Sequence, residues 1–582
     1  MVQGSKSLIS IDGGSIKRIT ALSLCAIVIG LVSALAAIAF VDAVGLLNRI
    51  LLISPRARVQ YESIPYLVEA ATLLVPTAGG LVVGLLLLRV SPERRPVGPA
   101  EVIKSTQVGT PLPDLRTGLV STAAAILSLG AGASVGQFGP VVYLGALVGN
   151  FARKLQIDVK ALPTMAVACG VAAAMSAAFN APIAGLVFAH EVVLRHYSLR
   201  AFSLTTIAAA MGYVVTNIIF DRPALFLVSF EGVGFGHEFA LFALLGALSA
   251  VIAMALMKLV MFSGRIAASL PVFPPLRTAC AGLAVGLTAL WLPDVLGIGS
   301  AALRFATIEG AFEANELLVL VVAKIVLTAI CLGFGFAGGI FSPSLLIGIM
   351  FGAFFWSVLD STQSIANSGV VAYAICGMMA IASPVMGAPL TVILIVFELT
   401  RNYDLTIGAM VAVVASNLIS FRIFGRSLFD VVLKKQGIDL SQGREFARLA
   451  AVRVVEYAND DFPRAQEDVT AGELRHRLTS GKWNEAFVEN SEGQFLGKIY
   501  GRDLHADSAS TSRDVLHSAG LVYSEKTTIF QAMQSLADFV GDAVPIVDSK
   551  TGKLLGVVTE SAIIVAYLEL VHDIRREEHA PV

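Results

Sequence analysis

The chain has 582 residues, of which 56% are hydrophobic and 15% charged, with a mean hydropathy of +0.76. Soluble domains run nearer about 45–50% apolar and about 25% charged, so a wholly soluble protein is excluded and a membrane protein is indicated. Five cysteines scattered mostly through apolar stretches argue against a disulfide framework or a cysteine-based metal site, and the scattered basic residues lack the aromatic-interleaved patch expected of a nucleic-acid surface.

From the N-terminus, MVQGSKSLISIDGGSIKRIT has no small-residue cleavage site leading into a soluble domain, so no removable signal peptide is expected. Lys6, Lys17 and Arg18 precede the first span and predict a cytoplasmic start. Apolar stretches recur from Ile16 to about Phe424, and residues 22–41, 242–262 and 317–336 are each long enough to cross a bilayer. Several others are shorter and interrupted by Gly or Pro. Broken helices are tolerated in lipid only where protein or a water-filled cavity covers the break, and transport sites sit at such breaks. Residues 446–582 carry 14 Lys+Arg and 21 Asp+Glu, against 28 and 22 upstream. The expected organisation is a membrane part over 1–440 and an acidic soluble domain over 446–582.

The membrane part repeats itself. GPVVYLGALVG (139–149) and SPSLLIGIMFG (342–352) both fit P-x4-G-x3-G, and each follows a glycine-rich loop, SLGAGASVGQF or GFGFAGGIF. Further on, NAPIAGLVFAHE (180–191) and GAPLTVILIVFE (387–398) share Ala-Pro with a glutamate nine residues after the proline. The shared order predicts two related halves with a site between them, and small residues four apart predict close helix contacts. Each loop enters a helix whose first N–H groups lack intrahelical partners and carry the positive end of the helix dipole. Two such starts meeting in mid-membrane make an anion site. Neither loop contains Lys or Arg, which suits quick release of a monovalent anion such as chloride. Glu191 and Glu398 recur at matching places and read as helix-end caps, while His190 beside Glu191 offers an alternative proton relay.

Together these motifs resemble the CLC family of chloride channels and proton-coupled chloride antiporters. GQFGP (136–140) is similar to the family's G-[KR]-E-G-P loop, FAGGIFSP (336–343) to its G-x-F-x-P loop and VGPAEV (97–102), more distantly, to G-S-G-I-P-E-V. The resemblance implies an all-α polytopic membrane protein with an inverted-repeat, CLC-like transmembrane domain. It also implies a homodimer in the cell membrane with a separate pore in each subunit. Its anion-binding residues would be Ile340 and Phe341, whose amides hold a central anion, with Phe138 and Gly139 lining an outer position. Val97 falls where the family has a chloride-facing serine, and Phe429 where it has a pore tyrosine. Phe138 takes the place of the gating glutamate and Val192 that of the antiporters' internal proton-transfer glutamate. Phenylalanine cannot carry a proton. Its weakly positive edge can lie against an anion while its bulk narrows the pathway.

In the tail, AFVENSEGQFLGKIYGRDL (486–504) and AVPIVDSKTGKLLGVVTESA (543–562) form a second repeat, with Gly497 and Gly556 in matching places. This resembles a cytoplasmic α/β pair of CBS modules, at about 450–508 and 512–570. Nucleotide-binding modules use Ser or Thr followed three residues later by Asp; here Thr559 is followed by Ala562, and Asp503 is preceded by Tyr500. The resemblance therefore implies a dimerising, regulatory or structural tail, with adenine nucleotide binding through Asp503 and Thr559 as the alternative.

The expected function is transport of small inorganic anions, as a chloride channel or uncoupled conduit. Two alternatives stay open: a proton-coupled antiporter with a substitute acid such as Glu191, and a transport-inactive membrane sensor reporting through its tail. No phosphate-cradling lysine loop, His/Cys metal spacing or nucleophile and base pair supports an enzyme. No cofactor, metal or nucleic acid is expected as a partner, only the anion, surrounding lipid and a second subunit.

Overall fold

The computed structural model describes residues 13–61, 63–90, 95–151, 162–222, 230, 232–362, 365–479, 483–504, 510–536 and 539–579. Lys6 and the 505–508 end of the first expected tail module lie outside them. The first part of the membrane region comprises α1 (Gly13–Ile50), α2 (Pro55–Gln60), α3 (Pro65–Val90), α4 (Pro99–Val108), α5 (Leu115–Gly130), α6 (Phe138–Phe151), α7 (Leu162–Phe179), α8 (Pro182–Phe188) and α9 (Leu199–Tyr213). It continues with α10 (Glu238–Ser269), α11 (Pro274–Ala289), α12 (Ser300–Phe305), α13 (Ala314–Phe334), α14 (Phe341–Ser361), α15 (Val370–Met386), α16 (Pro389–Thr400), α17 (Tyr403–Ile423) and α18 (Leu428–Lys435). Among the described residues, eight helices are long and apolar enough to cross a bilayer.

The repeat is visible in packing and in backbone. Helices α6 to α9 match α14 to α17, and α6, α8, α14 and α16 each carry a proline in the first turn, where its missing N–H leaves no intrahelical bond unmade. The glycines of P-x4-G-x3-G sit where helices touch. Gly145 and Gly149 press on backbone carbonyls of Gly170 and Ala166 in α7, and Gly348 and Gly352 on those of Gly377 and Tyr373 in α15. A Cβ on Gly348 would lie 2.6 Å from the Gly377 carbonyl oxygen, and one on Gly377 2.7 Å from that of Gly348. Such closeness replaces hydrophobic driving force, which is lacking between helices in lipid, with dispersion contact.

Asn180 and Gly387, each just before Ala-Pro, both turn left-handed, with φ of 56° and 71°. That conformation favours glycine first and asparagine next, which is why these two residue types exchange here. Arg195 and Arg401 also share positive φ, at 58° and 51°, and close the paired segments. The first copy has one residue more between its glutamate and this turn, absorbed by a π-helical turn over Ala189–Leu194.

The chain divides into two compact units, most of it up to Leu433 in one and Lys434 onward in the other. The second is a small α/β region with α19 (Arg444–Leu449), α20 (Ala471–Thr479), α21 (Ile529–Ser535) and α22 (Glu560–His579). Its two three-stranded sheets are β1 (Arg464–Gln466), β2 (Glu485–Glu489) and β3 (Phe495–Tyr500), then β4 (Tyr523–Ser524), β5 (Val544–Val547) and β6 (Leu554–Val558). In both, the first pair is parallel and the second antiparallel, with a register shift at the same place: Val488 pairs with Gly497, and Ile546 with Gly556. The entry to each copy crosses to the other, so that Asn459 bridges Val557 and His517 bridges Lys498.

Gly377→Val is expected to lower the melting temperature of detergent-solubilised protein, since overpacking typically costs about 1–3 kcal/mol. Gly45→Ala, in α1 where an added Cβ meets nothing within 4 Å, is the control and should leave it unchanged or higher. Equal melting of the Gly377→Val and wild-type proteins would contradict this packing.

Candidate anion site

The two glycine-rich loops meet. The Gly136 N–H donates to the Gly339 carbonyl oxygen at 2.6 Å, and the Gly339 N–H returns the bond to the Gly136 oxygen at 2.7 Å. Side chains add to the seam, because the Gln137 N–H donates to Ser342 Oγ at 3.2 Å and the Ala337 N–H to Ser128 Oγ at 3.1 Å. Glycine is demanded at Gly136, where a Cβ would lie 2.8 Å from the Gly339 oxygen, and favoured at Gly139, where one would sit tightly at 3.0 Å from Gly339 Cα. Pro99, at the start of α4, closes a third side, its Cδ 3.6 Å from that same Gly139 position. Val97, two residues earlier, is half-buried and fastened by its N–H to Ser121 Oγ at 2.7 Å.

Helices α6 and α14 start within a few residues of this bridge, at Phe138 and Phe341. The N–H groups of Phe138, Gly139, Ile340 and Phe341 lie at these starts, where no residue four earlier in the same helix can accept from them. Both helix dipoles add positive potential at the junction. The structure thus brings together four of the residues that the motifs single out.

The ring of Phe138 is not solvent-facing. It is 3% exposed and stacks on Phe179 at 3.9 Å between centroids, with the two planes inclined by 14°. Phe341 meets both rings edge-on, at 5.5 and 5.6 Å. Phe179, the last residue of α7, is a third member that no loop motif announced. Beside Phe138 is a cavity of about 20 Å³ lined by Gln137, Ser300, Arg304 and Ser342 among others. A single water needs about 10–15 Å³, so this space does not hold a hydrated anion. Phe429 is half-buried in the first turn of α18 and lies outside the three-ring cluster.

The repeated glutamates cap each other's half. Glu191 accepts from the Leu390 and Thr391 N–H groups of α16 at 2.9 and 2.8 Å, and from the Thr391 hydroxyl at 2.7 Å. Glu398 accepts from the Ile183 and Ala184 N–H groups of α8 at 2.9 and 2.7 Å. Each carboxylate satisfies N–H groups at the start of the opposite copy's helix, the best electrostatic position for a negative charge. His190 is fully buried, its Nδ1 2.7 Å from the His196 carbonyl oxygen and its Nε2 2.9 Å from the Thr205 hydroxyl.

Glu238 and Lys324, two buried charged residues among those described in the membrane part, lie outside every motif. Glu238 accepts from the Ser368 N–H at 2.8 Å and the Tyr373 hydroxyl at 3.0 Å. Lys324, in the middle of α13 and 1% exposed, donates to the Val295 and Gly297 carbonyl oxygens at 2.8 and 2.6 Å. The Gly297 N–H in turn donates to the Gly132 oxygen at 2.9 Å, so this lysine braces the first glycine-rich loop. A charged residue in the middle of an apolar run is the signal that would have found it. In the tail, Asp503 lies 3.0 Å from His517 Nε2, and the Thr559 hydroxyl accepts from the Ala562 N–H at 3.1 Å, capping α22.

A duplicated bundle of membrane helices whose two glycine-rich helix entries meet defines the CLC transporter fold. A family model described as "Voltage gated chloride channel" matches residues 79–421, and the chain belongs to that family, whose work is anion transport. A relative described as the voltage-gated ClC-type chloride channel ClcB of Shigella flexneri is 30% identical over 379 residues, which cover 62% of this chain and 88% of the relative. Two solved structures share the fold, both with a TM-score of 0.63. A slow cyanobacterial Cl−/H+ antiporter is 24% identical, over 71% of this chain and 97% of its own. A eukaryotic CLC transporter is 19% identical, over 94% of this chain and 99% of its own.

Removing either cap leaves helix-start N–H groups without an acceptor; where such a group is shielded from water, as at Thr391, the cost is about 1–3 kcal/mol. Glu191→Ala and Glu398→Ala are each expected to lower the melting temperature, with Glu→Gln at either place intermediate because one acceptor oxygen remains. Wild-type melting of both alanine variants would show that the caps carry no stability.

Proposed function

We propose that this protein is a chloride-conducting CLC channel or uncoupled anion conduit in which Phe138 replaces the acid that would otherwise compete with the anion and carry protons. The observation that carries the reading is the three-ring cluster at the first residue of α6. An aromatic ring fills that position, and it cannot ionise at any pH. Glu191, the substitute acid beside Val192, has both carboxylate oxygens committed to α16. His190 is likewise held from both ring nitrogens. The chloride-channel description of the ClcB relative supports the choice of ion.

In this reading the anion rests against the amides of Ile340 and Phe341, then passes Phe138 and Gly139, with Val97 and Phe429 lining the way. The stacked rings close the route in the conformation described, so conduction requires Phe138 to leave Phe179. The pathway then gates by a rotamer change instead of by protonation. The protein works as a homodimer in the cell membrane, with its N-terminus and tail in the cytoplasm. The tail is a CBS pair, a reading supported by its two matching sheets and their crossed entry segments. Its role is dimerising or regulatory, in keeping with the engagement of Asp503 by His517 and of Thr559 by α22.

Full-length protein in liposomes under a chloride gradient is expected to release chloride without uphill proton movement, and at a rate nearly constant from about pH 4 to 7.5, because no group at the constriction titrates. Phe138→Ala should raise the rate, and Phe138→Glu should make it pH-dependent. Sustained proton pumping by the wild type, or a pH-independent Phe138→Glu variant, would overturn the assignment.

A further inference from the structure

The cavity of about 20 Å³ beside Phe138 has one buried wall and one that reaches the surface. Gln137, Phe138 and Ser342, all buried, make the first. Helix α12 makes the second through Ser300 and Arg304, both exposed, and runs on into the polar stretch TIEGAFE (307–313). Ser300 and Arg304 stand four apart on that helix, so their side chains share a face with Cβ atoms about 5–6 Å from each other. Arg304 is the one charged residue in the cavity wall among the described residues, and among them its guanidinium has neither a hydrogen-bond nor an ion-pair partner.

The repeat shows that the fold does not call for this cation. Ile298-Gly299-Ser300 leads into α12 as Val97-Gly98-Pro99 leads into α4. Four residues after the helix start, the first copy has a fully buried Ile103 where the second has Arg304. Both helix starts flank the junction of the glycine-rich loops, Pro99 against Gly139 and Ser300 in the cavity beside Phe138. A positive charge is therefore supplied at this position on one side of the junction and not on the other. Amides can hold an anion only after it has arrived, whereas a fixed cation at the mouth of a cleft concentrates anions and repels cations before they reach the constriction. A guanidinium still in contact with water does this without the tight pairing that would trap the ion.

We propose that Arg304 recruits the transported anion to the Phe138 end of the pathway and favours anions over cations there. The proposal rests on the route passing Phe138, and its first test reads the potential at the mouth without any flux.

With the exposed Cys280 replaced by serine and Ser300→Cys introduced as a reporter, full-length protein is labelled by an anionic (ethylsulfonate) and by a cationic (ethyltrimethylammonium) methanethiosulfonate. A unit charge roughly 7 Å away in water changes the local concentration of a monovalent ion about threefold. Arg304→Gln should therefore lower the anionic-to-cationic ratio of labelling rates by about the square of that, roughly eightfold, at ~0.01 M salt, and the difference should largely vanish at ~1 M. Arg304→Lys should keep the ratio, which separates charge from side-chain shape and guards against a glutamine variant that fails to fold. In liposomes, Arg304→Gln should raise the chloride concentration for half-maximal flux about threefold and leave the maximal rate unchanged. An unaltered labelling ratio in Arg304→Gln, or a flux lowered equally at every chloride concentration, would overturn the proposal. Proton-coupled flux together with the expected labelling ratios would overturn the uncoupled reading and still support recruitment by Arg304.

Discussion

A pair of reciprocal hydrogen bonds between Gly136 and Gly339 is the contact on which the rest of the membrane part depends. Lipid cannot satisfy an open backbone, so helices that stop in mid-membrane need other protein groups to cover their ends. The bridge holds the starts of α6 and α14 side by side, and every other feature of the site follows from that juxtaposition. The glycines around it are there because the two backbones approach to distances that no Cβ permits. Lys324 and Ser128 reinforce the arrangement from outside, one through the Gly297 carbonyl and the other through the Ala337 amide.

Uncharged amides suit anion transport better than a lysine or arginine would. A full positive charge in a low-dielectric interior would trap a halide, whereas helix starts supply roughly half a charge each and cost no desolvation of an ion pair. The same economy explains where the glutamates go. Their charges are spent on the opposite copy's helix starts, which keeps them from competing at the junction while tying the two halves together.

Much of this was legible in the sequence, for reasons that differ from residue to residue. The P-x4-G-x3-G glycines announced close helix contacts because only small residues permit them, and they mark the α6–α7 and α14–α15 seams. The left-handed turns at Asn180 and Gly387 and the register shifts beside Gly497 and Gly556 came only from the structure, although the sequence had already put each pair of residues in matching places. The caps were readable from position alone, since Glu191 and Glu398 recur at the same offset from a proline. Phe179 was not, because its stacking on Phe138 joins residues from opposite ends of α6 and α7 through tertiary packing that leaves no local pattern. Lys324 was visible as a charge within an apolar run, yet its partners are carbonyl oxygens, which have no signature in residue type.

The exchanged caps bear on how the polypeptide is made. The N–H groups of Ile183 and Ala184 wait for a carboxylate 215 and 214 positions downstream, and Glu191 waits for amides 199 and 200 positions away. At ~5–20 residues per second of synthesis, that interval is roughly 10–40 s. During it, the first copy's α8 start and Glu191 have no partners from the second copy, so the two copies close on each other only after the second has been made.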